Sequence, residues 1–308
     1  MSGAFPGPRG ASFEASGRRV ANAHPGSGSI IATRPYYLKQ KMAATRSRSR
    51  VPDLRSRDAL ARPGHDGDTC LVGVDGCAAG WIAAFARPAG EEVRVRVVAR
   101  FADVVNAPEA PAVIAIDVPI GLPERIGAGG RGPEAAVRKL LGARQSSVFS
   151  VPSRAAVYAT NFGEACRVGL ETSEPPRKIS KQLYMIAPKI CEVDTLLREQ
   201  PELAAKLFEV HPEAAFWRLN GNRPLDEPKK IKGVPYAPGL ALRRRLLIEA
   251  GFPRACVEAV PPRGARADDL LDALACAAVA RRIVAGVAEP FPASPRSDAF
   301  GLRIAIWA

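Results

Sequence analysis

A chain of 308 residues with 47% hydrophobic content has ample material for a core and the balance of an ordinary globular protein. No run is long or apolar enough to span a bilayer, so no membrane partner is expected. The net charge is +13, but residues 1–69 alone hold 12 Lys/Arg against 5 Asp/Glu; the remaining body is mildly basic, which permits a polyanionic partner without requiring one.

Residues 1–69 are rich in Gly, Pro, Ser, Ala and Arg, with Arg46-Ser47-Arg48-Ser49-Arg50 as the densest charge run. Such a segment buries too little apolar surface to offset its ordering entropy, so a disordered tail is expected there. It has no continuous apolar core of the secretory kind. Its Arg/Ser-rich character faintly resembles an organelle transit peptide, and a start site at Met42 is an equally good reading. The six cysteines (Cys70, Cys77, Cys166, Cys191, Cys256 and Cys276) form no C-x-x-C pair and no zinc-like spacing, which suits a reducing cytoplasm.

At Leu71 the pattern changes. Leu71–Asp75, Trp81–Arg87 and Val93–Phe101 read as three strands joined by turns short enough for an antiparallel meander. A short helix at Ala102–Asn106 leads to Ala112–Asp117, an apolar run of the kind buried on both faces of a sheet. Residues 121–205 carry little strand character, and Glu134–Leu141 and Leu183–Gln200 look helical, so a helical insertion is expected. Leu207–His211 is a fifth short strand, and Pro212 opens a helix in its favoured first position. Then come a basic loop at Lys229–Gly239, helices at Leu240–Ala250 and Ala267–Ala285, and an edge strand at Leu302–Trp307. The expected architecture is α/β: a mixed five-stranded sheet with flanking helices over residues 70–308.

Two of these strands end in an acid. If the first and fourth lie side by side, Asp75 and Asp117 sit at neighbouring strand ends, where open α/β sheets place their sites. Two carboxylates that close repel unless a cation lies between them. In the helix at 267–285, Asp269 and Asp272 share a face, as do Asp268 and Asp272. Asp268 also suits an N-cap, whereas Asp272 lies a full turn inside, beside residues that must face the core. Hard oxygen donors with no cysteine or histidine pattern favour Mg²⁺ or Mn²⁺.

At this point a family emerges. Gly73-Val74-Asp75-Gly76 with Gly80-Trp81, and Ile116-Asp117-Val118-Pro119-Ile120-Gly121-Leu122-Pro123, resemble the domain of unknown function 429 family, a predicted nuclease group of ribonuclease H-like fold. Ser146-Ser147-Val148-Phe149 with Pro152 and Arg154, Lys181-Gln182, Pro188-Lys189-Ile190, Glu209-Val210-His211-Pro212-Glu213 and Asp269-x-x-Asp272-Ala273-Leu274-Ala275 extend the likeness across roughly residues 70–285. The last helix also resembles the one carrying the final acids of Holliday-junction resolvases. That likeness implies Asp75, Asp117, Asp269 and Asp272 as metal ligands. It departs where the resolvases have a central-strand Glu and this chain has Asp117 followed by Pro119, and the insertion has no counterpart.

The resemblance implies a nuclease in which two metal ions would serve attack and departure at a phosphodiester of a nucleic acid or another phosphorylated substrate. Arg144, Arg154, Lys178, Lys181, Lys189, Lys229 and Lys230 would hold phosphates. Glu209 is either a further ligand or an orienter of one. His211 is either a structural histidine or a base, and Glu213 a first-turn helix acid. Trp81 and Trp217 read as core anchors. Two rival readings start from the same residues: an actin-like or sugar-kinase phosphotransferase, and a nucleic-acid-binding domain without turnover.

Overall fold

The computed structural model describes residues 69–89 and 92–308, so the tail expected over residues 1–69 lies, but for Thr69, outside the described residues. Five strands form one mixed sheet: β1 (Leu71–Cys77), β2 (Gly80–Ala86), β3 (Val93–Val98), β4 (Val113–Ile116) and β5 (Leu207–Glu209). Their order is β3-β2-β1-β4-β5. The first three are an antiparallel meander, while β4 runs parallel to both β1 and β5. This arrangement is consistent with the ribonuclease H-like fold expected from the sequence.

Nine helices are described: α1 (Phe101–Val105), α2 (Pro133–Arg138), α3 (Arg154–Val157), α4 (Phe162–Glu171), α5 (Lys181–Glu199), α6 (Pro212–Leu219), α7 (Ala237–Glu249), α8 (Arg254–Val257) and α9 (Ala267–Val284). Parity along the strands decides which face meets which helix. Val72, Val74, Ile114 and Ile116 pack with Phe101, Leu183 and Ile190 on one side. Leu71, Ile82, Ala84 and Ala115 pack with Leu271, Leu274 and Ala277 on the other. Asp75 and Asp117 have the parity of Leu71 and Ala115, so they lie on the α9 side.

α9 is buried nearly all round, which explains why so much of it is alanine: β1 covers one flank and α6 and α7 the other. The approach to β1 is close. A Cβ on Gly73 would stand 2.1 Å from the Ala273 carbonyl oxygen and 2.1 Å from the Ala277 nitrogen, so only glycine fits.

Two segments differ from expectation. The basic loop contains a small hairpin, β6 (Lys230–Ile231) and β7 (Val234–Pro235), turned by Lys232 and Gly233 at positive φ. The C-terminal strand does not join the main sheet as an edge. As β9 (Arg303–Trp307) it pairs with β8 (Pro290–Ser297), touching the main sheet through one bridge, Val210–Trp307. The insertion is helical, and the loop after β4 is strapped to it and to the C-terminal ribbon.

Candidate functional site

The parallel strands set the site. Val74 pairs with Ile116, and Ile116 with Glu209, so the parallel pairing of the three strands ends at one level, while β1 runs on to Cys77 beside β2. The Gly76 N–H donates to Asp75 Oδ1 at 2.7 Å and fixes that carboxylate at the turn. Asp117 begins the strap Val118–Leu122, and its N–H bonds to the Val74 carbonyl at 3.0 Å. From the facing helix comes Asp272, 2% exposed.

Electrostatics shows how near the three are. Burial, then the neighbouring Asp117 and Asp272, hold Asp75 well above the usual carboxylate range. Burial and Asp272 push Asp117 up to about 8. Burial also raises Asp272, against the pull of the Lys229 ammonium. The nearby Cys276 thiol, one turn beyond Asp272, is pushed well up by burial and by the same three acids. Lys229 makes an ion pair with Asp272 Oδ2, and although burial opposes its charge, Asp272 and Asp75 raise its pKa. Asp272 Oδ1 is buried with no hydrogen-bond partner among the described residues.

The other expected site residues have different work. Asp269 accepts from the Arg266 N–H at 2.9 Å and so supplies the cap expected of Asp268; α9 begins at Ala267, which puts Asp269 at the third position. It still borders the cluster, adding to the repulsion at Asp75. Asp268 is buried and paired with Lys230 at 2.5 Å.

Glu209 is tied to Arg131 and to the strap after β4. Its Oε1 meets Arg131 at 2.6 Å, and its Oε2 accepts from the Ile120 N–H at 2.8 Å and from Arg131 at 3.2 Å. Both oxygens thus take part in holding the strap that follows β4, one directly and one through Arg131. His211 caps α6: its Nδ1 accepts from the Glu213 N–H at 3.2 Å, and its Nε2 faces the Ser147 carbonyl at 3.4 Å. Burial lowers its pKa, which favours the neutral ring those two bonds require.

The basic residues divide likewise. Arg154 is committed to Asp194 at 2.8 Å and Asp298 at 2.7 Å, a structural junction between α3, α5 and the C-terminal ribbon. Lys229 points into the acids rather than toward a phosphate. Lys189 donates to the Gly80 carbonyl, lies 4.5 Å above the Trp81 ring and covers Gly76, which puts its charge beside the Asp75 turn. Lys178 and Lys181 are exposed, and Arg144 is half-buried. Trp81 and Trp217 are buried, as core anchors must be.

Sequence reading missed Arg131 and Arg243, both fully buried, and underrated Glu213. Arg243 pairs with Glu213 Oε1 at 2.5 Å, while Glu213 Oε2 is buried without a partner among the described residues. Glu213 repels both Asp117 and Asp272, so it borders the cluster. Its place in the run Glu209-Val210-His211-Pro212-Glu213 was the available signal.

The family described as "Protein of unknown function (DUF429)" matches residues 73–297. The chain belongs to this family. The DUF429 match includes Asp75, Asp117, Glu209, Glu213, Asp268, Asp269 and Asp272. No curated protein and no solved structure matches the chain. No described helix is long and apolar enough to cross a membrane.

Carboxylate oxygens are hard donors of the kind Mg²⁺ and Mn²⁺ take. Three buried carboxylates have raised pKa values, and one buried oxygen lacks a partner among the described residues. Among the described residues, no group of three or more His, Cys, Asp or Glu side chains is placed to hold a metal ion.

Proposed function

We propose that this DUF429 domain is a metal-dependent phosphodiester hydrolase acting on nucleic acid. One observation supports the reading: Asp75 and Asp117 follow the last paired residues of two neighbouring parallel strands, on the face that α9 covers, and Asp272 of α9 is buried with its Oδ1 unpartnered among the described residues. Asp75, Asp117 and Asp272 would hold a Mg²⁺ or Mn²⁺ ion. When bound, such an ion polarises a phosphoryl oxygen and makes water a competent nucleophile at neutral pH.

The chain's own residues supply the rest. The Gly76 N–H holds the Asp75 carboxylate through Oδ1. The Arg131–Glu209–Ile120 clamp holds the strap that presents Asp117. Lys189 and Lys230 border the cluster, within reach of the phosphates that flank a scissile bond. A cavity of about 360 Å³ between α2 and α4 is lined by Arg138, Arg177, Lys178 and four serines, with no acid among its lining residues. Its wall at Val148–Ser153 continues from Ser147, whose carbonyl meets His211. Its other walls are apolar, from Ile126, Val148, Phe149, Val151 and Ile179, so only the Arg138, Arg177 and Lys178 side would meet phosphates.

The test is Mg²⁺ and Mn²⁺ titration of the purified protein against labelled DNA, RNA and branched substrates, with Asp75→Asn as control. Cleavage should appear only with metal and vanish in Asp75→Asn at an undiminished melting temperature. Cleavage that persists in chelator and in the variant would refute the assignment. Stabilisation by a nucleoside triphosphate without any nuclease activity would move the domain to the phosphotransferases.

A further inference from the structure

The cavity between α2 and α4 has a chemistry of its own. At about 360 Å³ it falls within the range of small-molecule sites, roughly 300–1,000 Å³. None of Asp75, Asp117 and Asp272 lines it, and among the described residues no other acid does. Its lining is of two kinds. One is apolar and includes Phe149, an aromatic ring left 36% exposed. The other carries Arg138, Arg177 and Lys178.

The cationic part is held in place. Ser173 Oγ donates to the Gly169 carbonyl and accepts from the Arg177 N–H, both at 2.7 Å. Gly169 eases the approach, since a Cβ there would stand only 3.0 Å from the Arg177 carbonyl oxygen. The chain bearing Arg177 and Lys178 is thus fixed against the end of α4. Neither residue forms an ion pair among the described residues. Arg177 gives one N–H to the Ala128 carbonyl at 3.1 Å and keeps others.

The four serines of the lining divide by where their protons go. Ser173 spends its own on Gly169, and Ser153 gives to Thr172 Oγ1 at 2.7 Å because the Thr172 proton goes to the Val168 carbonyl. Ser150 Oγ accepts from Arg138 at 3.0 Å, and Ser180 Oγ accepts from the Leu183 N–H at 3.2 Å. Each of these two keeps a proton to donate. Two cations and two hydroxyls, all donors, beside an apolar wall call for an acceptor-only anion on an apolar body.

We propose that this cavity binds a phosphate monoester, its phosphate oxygens on Arg177, Lys178, Ser150 and Ser180 and its organic part against Phe149. A monoester brings three acceptor oxygens and a charge of about −1.5 to −2, which match these donors better than the single charge of a backbone diester. The site goes beyond the hydrolase reading and needs none of its acids. Two sources share the chemistry: a free small phosphate ester and the phosphorylated end of a nucleic-acid strand.

Calorimetry of the full-length protein in chelator, with phenyl phosphate as probe, tests this. Wild type should bind phenyl phosphate at least about tenfold more tightly than inorganic phosphate or benzoate, the least that covering an aromatic ring is worth. Phe149→Ala should remove the advantage over inorganic phosphate, and Lys178→Ala should weaken both phosphates several-fold. No binding of phenyl phosphate, inorganic phosphate or benzoate bound as tightly, or a folded Phe149→Ala with unchanged affinity would each overturn the proposal. If Phe149→Ala fails to fold, the wild-type comparison still decides. Competition then separates the sources. Displacement of phenyl phosphate by thymidine 5′-monophosphate assigns a free ester, and displacement only by 5′-phosphorylated oligothymidylate assigns a strand end. Displacement by neither, or equally by unphosphorylated oligothymidylate, would overturn the monoester assignment. Since the assay uses neither metal nor turnover, its failure leaves the hydrolase reading standing, and loss of that reading leaves the pocket.

Discussion

Two buried polar regions lie on either side of the strap that follows β4. Behind it, Arg131 is enclosed by Glu134, Glu209 and the carbonyls of Ile120 and Gly121, at distances of 2.5 to 3.1 Å. In front of it, Asp75, Asp117 and Asp272 crowd around one lysine, and each is pushed above the usual carboxylate range. The first region uses ionic side chains to hold backbone in place. The second sets three buried carboxylates near one ammonium, and perturbed acids of that kind gather at functional sites. Composition cannot separate them; only the pairing can.

The contrast predicts mutational effects of opposite sign. Arg131→Met leaves two buried carboxylates unpaired and should destabilise the fold by about 3–5 kcal/mol, read from the urea midpoint. A loss below about 1 kcal/mol would mean the clamp is not what holds the strap. Next in size is a dependence on pH. Asp117, at about 8 in the fold against an ordinary 3.8, keeps its proton where the unfolded chain has lost it. The folded state therefore binds more protons across that interval, and metal-free protein should become less stable as pH rises from about 4 to about 8. Melting curves in chelator should show this slope, and Asp117→Asn should flatten it; a level wild-type profile would contradict the crowding.

Smaller again is the effect of Asp75→Asn on metal-free protein at pH 8. Removing one of three repelling charges should raise stability by something on the order of 1 kcal/mol, whereas the same change at a balanced pair would lower it. A fall in melting temperature would place Asp75 among the structural acids. The least effect belongs to the exposed lysines. Lys178→Ala and Lys181→Ala should each weaken nucleic-acid binding only a few-fold and reduce its salt slope by about 1, with no change in stability. Binding that ignores salt would argue against a phosphate track.

Much of this was legible in advance, for definable reasons. Strands β1 to β4 declared themselves through β-branched runs broken by Gly76, Gly80 and Pro88, and the two acids at their ends followed from where those runs stop. Asp272 was readable because it lies a turn inside an apolar helix, where capping cannot explain an acid. The hairpin at Lys230–Pro235 was not, since two-residue strands carry no period. Nor was β8, whose Pro290, Pro292 and Pro295 argue against any strand until β9 is there to pair with it. Lys229 looked like one more surface cation. Its partner stands 43 residues away, and only the packing of Pro228 against Gly239 turns it inward. Arg131 gave no signal at all, because a buried arginine is recognisable only by the acids folded around it.

The bare α-carbon at position 73 has a consequence for ion choice. It sits two residues before Asp75 on the same flank of the strand, where α9 leaves no room for a methyl group. Alanine there must lift the helix, and Asp272 travels with it. Within the metal-binding reading, the gap between the two jaws is thus gauged by an absent side chain. Widening it should shift preference from Mg²⁺, which needs oxygens at about 2.0–2.1 Å, toward Ca²⁺, which accepts about 2.3–2.6 Å. Selectivity for a small ion would then be written in a residue that never touches it.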